Sequence, residues 1–180
     1  MMTALHALAA VLDALGLPYY VGGSIASSIH GVMRATADID VVARLQRGDG
    51  RRLVASLAED CHGDAESAEN AIREGRPFNL IHFHTMLKFD FFPEGADPLS
   101  QAAMERARSL TTGVRVATPE DILLAKLRWF RDGGQVSDRQ WGDVLGVLRA
   151  QGESLDRHYL GGMAEALGLQ VLLARAMLEA

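Results

Sequence analysis

The sequence predicts an α+β (α/β) protein. A small mixed β-sheet flanked by helices is expected over residues 1–117, and a helical region over residues 118–180. Three observations lead there. Short β-type apolar runs alternate with segments of helical period as far as residue 117. From Thr118 onward the apolar residues recur every three or four positions. The chain has 180 residues, 48% hydrophobic and 23% charged, so it can bury a core without disulfides or a structural metal.

Residues 3–16 form the first expected helix. Leu5, Leu8, Ala9, Leu12 and Leu15 share one face, and Gly16 and Pro18 stop it. Tyr19-Tyr20-Val21 is a β-type run that ends at Gly22-Gly23. Ser24 is then placed to cap a helix through about Gly31, with Ile25, Ile29 and Val32 as its buried stripe. Ile39, Val41 and Val42 mark a second strand that begins inside Asp38-Ile39-Asp40, and a helix over 49–60 follows the turn at Gly48. The polar stretch from Gly63 to Gly75 shows no clear period. Phe78 to Phe92 is β-rich and too long for one ordinary strand, so a hairpin turning near His84-Thr85 is expected. A short helix over 99–109 and a strand over 114–117 complete this part.

Thr118-Pro119-Glu120-Asp121 then opens a helix: a threonine N-cap, proline at the first helical position, and two acids in the electropositive first turn. Leu123, Leu124, Leu127 and Phe130 form its apolar stripe, and Trp141, Val144, Leu145 and Leu148 form the next. Trp129 and Phe130 are both read as packing residues. Breaks are expected at Asp132-Gly133-Gly134, Gly152 and Gly161-Gly162.

Composition narrows the function classes. No apolar run approaches 18 residues, so no membrane span is expected. The first residues lack a basic segment and carry Asp13, and Cys61 has no internal partner; both fit a cytoplasmic protein. The net charge is −5, with 13 acids against 8 bases in residues 1–100 and ten of each in residues 101–180. Without a basic footprint, duplex DNA is not an expected partner. Sixteen of the 18 cations are arginine, so Lys88 and Lys126 stand out.

Three short motifs carry the chemistry. Gly22-Gly23-Ser24 lies where a strand passes into a helix. Glycines there let backbone amides approach an anion, and the serine hydroxyl can join them; a simple tight turn with a serine cap is the structural alternative. Asp38 and Asp40 are two apart on a strand, so both carboxylates face one side. Such a pair repels, raises a pKa or demands a cation, unless both acids are merely solvated at an edge. Lys88 and Asp90 share one face of a phenylalanine-rich strand, where a buried acid needs a partner; an internal ion pair is the alternative. His82-Phe83-His84 could offer two imidazoles to a metal but lacks a third ligand.

The run VGGSIASSIHGVMRATADIDVV, followed by KFDFF, resembles the nucleotidyltransferase superfamily of the DNA polymerase β-like fold. TPEDILLAKLRWFRD followed by SDRQWGDVLGVL is similar to its bacterial subgroup of minimal nucleotidyltransferases and abortive-infection toxins. The resemblance spans residues 17–148 and leaves 149–180 without a specific match. It implies that Asp38, Asp40 and Asp90 hold Mg²⁺ or Mn²⁺, and that Gly22, Gly23 and Ser24 receive a nucleoside triphosphate. Lys126 would lie near its phosphates. Arg34 is read as contacting phosphate or pairing with an acid, and Lys88 as positioning Asp90 or touching substrate. No role is assigned to Asp138, Arg139 or Asp143. The implied reaction moves a nucleoside monophosphate to an acceptor hydroxyl on an RNA end such as tRNA, a protein side chain or a small molecule. A non-catalytic nucleotide-binding or toxin–antitoxin interaction protein, and an antibiotic-modifying enzyme, are the two alternatives on the same fold; a cognate antitoxin is a further expected partner.

Overall fold

Alternation of apolar and polar residues decides the central strands. In β2 (Asp38–Ala43) and β5 (Lys88–Pro93), Ile39, Val41, Phe89 and Phe91 are buried on one face and the intervening acids and lysine lie on the other. The computed structural model describes residues 2–180. With β1 (Tyr19–Val21), β3 (Cys61–His62), β4 (Phe78–His82), β6 (Arg108–Ser109) and β7 (Arg115–Val116), these strands form one mixed sheet in the order β3-β4-β5-β2-β1-β7-β6. The β2–β5 and β1–β7 pairs are parallel, and the others are antiparallel.

The expected hairpin forms, and β4 and β5 pair from Phe78↔Phe91 to Ile81↔Lys88. Stacking of Phe78 on Phe91, with ring centroids 5.1 Å apart, fixes that register on the buried face. Cys61 is a buried core residue of β3. His82 sits at the strand end, where its Nδ1 meets the Thr85 hydroxyl at 3.0 Å, so the His82-His84 pair belongs to the turn.

Helices α1 (Met2–Ala14), α3 (Asp49–Ser56), α4 (Ala65–Arg73) and α5 (Pro98–Arg106) accompany the sheet with α2 (Gly23–His30). Beyond it come α6 (Pro119–Asp132), α7 (Asp138–Gln151), α8 (Arg157–Leu167) and α9 (Gln170–Glu179). Helices α6 and α7 pack against each other and against α2. Their buried residues, including Leu123, Leu124, Leu127, Phe130 and Val144, are continuous with the core of the sheet.

Several expectations need correction. Helix α2 begins at Gly23, with Gly22 at the N-cap and no side-chain cap, so Ser24 sits inside the first turn. Of its expected stripe only Ile25 is buried; Ile29 and Val32 are exposed. The polar stretch after Gly63 folds as α4, capped by Asp64, whose carboxylate accepts the Ser67 N–H at 2.6 Å. Its buried face is only Ala68, Ala71 and Ile72, too small to register as a period. Helix α3 ends at Ser56, four residues short of the expected end, and leaves room for β3. Helix α8 runs through Gly161-Gly162 and ends at Gly168, which is left-handed at φ 66°. Phe130 is buried, but Trp129 points outward.

Gly31 sets how closely α2 approaches α7. A β-carbon there would lie 2.8 Å from the Val147 nitrogen and 2.9 Å from the Gly146 carbonyl carbon. Both are backbone atoms and cannot rotate away. Gly31→Ala is therefore expected to destabilise the protein by roughly 1–3 kcal/mol through overpacking, measured by urea unfolding. Gly161→Ala, where a β-carbon meets nothing within 4 Å, is expected not to destabilise it.

Candidate active site

The site is built where β1 hands over to α2. The Gly22 N–H donates to the Asp40 carbonyl at 2.9 Å, extending the β1–β2 ladder by one bond. Gly23 then turns left-handed at φ 52°, and a β-carbon on it would overlap the Asp40 carboxylate. Only glycine combines that conformation with that approach. The turn brings the first turn of α2 against Asp40, with the Ser24 backbone favouring the charged form of its carboxylate.

Strand pairing assembles the acids. The parallel β2–β5 register sets Asp38 opposite Lys88 and Asp40 opposite Asp90, which places all four on one face of the sheet. Lys88 Nζ lies 2.8 Å from Asp90 and 3.5 Å from Asp38. Its hydrogen bond to Asp90 raises the Lys88 pKa. Burial raises the Asp40 pKa; the Ser24 backbone opposes that rise, and the neighbouring charge of Asp90 adds to it.

A second, cationic group adjoins Asp40. The Ser24 hydroxyl accepts from Arg34 Nη2 and, at 3.2 Å, from Arg139 Nη2. Asp143 accepts from Arg34 Nε at 3.0 Å, from Arg34 Nη2 at 3.1 Å and from Lys126 Nζ at 2.9 Å. Lys126 and Asp143 are nearly buried, with side-chain exposures of 6% and 7%. Burial alone would raise the Asp143 pKa, but the bonds from Arg34 and Lys126 outweigh it and lower the value. Arg34 and Lys126 thus share one carboxylate beside the helix start while Arg139 reaches the Ser24 hydroxyl, leaving positive charge to meet an anion.

The structure brings Gly22, Gly23, Ser24, Asp38, Asp40, Lys88 and Asp90 to one side of the sheet, with Arg34 and Lys126 at its border. It also adds Arg139 and Asp143, to which the sequence assigned nothing. They lie four apart on α7, hence on one face, and a carboxylate facing the otherwise unpaired Lys126 was the available clue. Arg34 both pairs with an acid and touches Ser24.

Among the described residues, no three histidines, cysteines or acids are gathered closely enough to grip one ion. The Lys88 ammonium stands between Asp38 and Asp90, within 3.5 Å of each. An all-oxygen carboxylate set on one face nevertheless fits a hard divalent ion.

No protein-family model matches the chain, and no curated protein matches it in sequence. Solved structures do share its fold. The solution structure of the antibiotic-resistance factor ANT(2'')-Ia matches with a TM-score of 0.57 at 17% identity, over 96% of this chain and 94% of that one. A crystal structure of ANT(2'')-Ia in complex with adenylyl-2''-tobramycin matches with a TM-score of 0.55 at 17% identity, over 92% and 95%. An antigenic nucleotidyltransferase-like protein from Paracoccidioides brasiliensis matches with a TM-score of 0.59 at 18% identity, over 97% and 90%.

Removing the Asp143 charge leaves Lys126 buried and unpaired. Asp143→Asn is expected to cost about 3 kcal/mol at neutral pH. A depressed folded-state pKa contributes stability above the unfolded value of about 3.9 and loses it as pH falls through the folded value. The gap between wild type and variant in urea unfolding should therefore be full at pH 7 and shrink progressively below pH ~4. Across nearly its whole length, the chain has the fold of these solved structures.

Proposed function

We propose that the protein is a divalent-metal-dependent nucleotidyltransferase that moves a nucleoside monophosphate from a nucleoside triphosphate to an acceptor hydroxyl. The observation that carries this reading is the β2–β5 register, which sets Asp40 beside Asp90 on a face that also holds Asp38. The shared fold of the structures described above supports it.

The chain's own groups divide the work. Ser24, with Arg34, Arg139 and Lys126 around it, would hold the triphosphate at the α2 start. Asp38, Asp40 and Asp90 would bind Mg²⁺ or Mn²⁺, which when present neutralises charge on the α-phosphate and on the attacking and leaving oxygens. The acceptor oxygen forms a bond to the α-phosphorus while the bond to the β-phosphate's bridging oxygen breaks, and pyrophosphate leaves. Asp90 would accept the hydroxyl proton, with Lys88 holding its carboxylate at 2.8 Å. Because two of the matching structures are of an antibiotic-resistance factor, one with adenylyl-2''-tobramycin, ATP as donor and a small-molecule hydroxyl as acceptor are the second, finer reading.

Asp40→Asn and Asp90→Asn are expected to lower transfer by about a thousandfold, as loss of a main electrostatic stabiliser does, while circular dichroism and thermal unfolding stay near wild type. Chelation should abolish transfer and added Mg²⁺ or Mn²⁺ should restore it. Undiminished transfer by either variant, measured with α-labelled triphosphates, would contradict the proposal. Triphosphate binding without any product would favour a non-catalytic nucleotide sensor.

A further inference from the structure

The face that carries the acids is covered only in part. Helix α2, backed by α6 and α7, lies over the β1–β2 side, where Gly23 meets Asp40. On the other side, register alone fixes the neighbours of Asp90: Asn79 of β4 lies opposite it, Ile81 lies opposite Lys88, and His62 of β3 lies opposite Ile81. Paired residues share a face, so Asp90, Asn79, Ile81 and His62 form one strip. Asn79 and His62 are exposed. Asparagine is disfavoured in strands, so packing alone does not account for Asn79 at this position. The strip runs into a cavity of about 530 Å³ at the sheet edge, lined by Asn79, Ile81, His62, Ser67 and Asn70 among others. That volume lies within the range of small-ligand sites.

Resting on the nucleotidyltransferase reading, we propose that this strip receives the acceptor, a polyhydroxylated molecule of sugar size, with Asn79 orienting the attacking hydroxyl toward Asp90. Direction comes from the donor side: the cationic group at Ser24 and Lys126 lies on the α2 side of Asp40, so a hydroxyl in line with the leaving pyrophosphate must arrive from the β4 side. Chemistry comes from the lining. Its arginines are already engaged, Arg76 with Glu74 at 2.5 Å and Arg73 with Glu74 at 3.6 Å. Asp64 is spent on the cap of α4. Among the described residues that line the cavity, Arg73 and Arg76 are matched in charge by Asp64 and Glu74, so no net positive charge draws a phosphate backbone, whereas amide, imidazole and hydroxyl groups suit a ring of hydroxyls.

The test is a nuclear magnetic resonance titration of the full chain with trehalose, with tobramycin and with a short single-stranded RNA ending in C-C-A. A saccharide is expected to shift the Asn79 side-chain amide and the His62 ring, and the RNA is not. Asn79→Ala should weaken that saccharide binding about tenfold, the loss of a directed hydrogen bond, and Asn79→Trp should block it. Position 79 is exposed, and backbone spectra of both variants should match the wild type away from the strip. Saccharide shifts absent from the strip, RNA shifts in their place, or full saccharide binding by Asn79→Trp would overturn the proposal. ATP added to the wild type reports separately at the Ser24 amide: silence there counts against nucleotide transfer, while the saccharide shifts alone decide the strip.

Discussion

Two carboxylates held side by side, Asp40 on β2 and Asp90 on β5, are the constraint that the rest of the site answers. Parallel pairing of apolar strands puts them there, because Ile39, Val41, Phe89 and Phe91 must face the core and their neighbours must face away. Hydrophobic burial therefore provides the free energy that keeps like charges together. Lys88 answers part of that repulsion directly. Gly23 answers the steric side, since no other residue allows α2 to start so close to Asp40.

Helices α6 and α7 extend the same logic with the opposite sign. Lys126 is buried because its stem belongs to a helix that packs on α2, and Asp143 from the next helix meets its charge. Arg34 closes the bridge between that pair and the Ser24 hydroxyl. An acidic half and a cationic half thus lie next to each other, as the proposed binding of a metal-bound triphosphate requires. The net negative charge of the chain describes neither half, which is why composition argued against duplex DNA as a partner without bearing on a nucleotide.

Much of this was legible in the sequence because it is local. A period of two places Asp38 with Asp40 and Lys88 with Asp90 on one strand face, and Thr118-Pro119 announces α6 with its cap. The scarcity of lysine singled out Lys88 and Lys126, which the structure puts among the acids and at the border of the site. Long-range partners were less legible. Asp143 lies 109 residues from Arg34, and nothing in the spacing ties α7 to the turn at Gly22-Gly23. Helix α4 was missed because its buried face is mostly alanine. Gly161-Gly162 misled because solvent-facing glycines cost helix α8 some stability without ending it. Asn79 went unnoticed because only the β4–β5 register brings it to Asp90.

Asp38, Asp40 and Asp90 acting as one cation site beside the α2 start is the central claim. Paramagnetic line broadening by Mn²⁺ in the presence of ATP tests it most directly. The amides of Gly23, Asp40 and Asp90 are expected to broaden first, and Asp90→Asn to weaken the effect. Broadening centred elsewhere, or none at all, would contradict it.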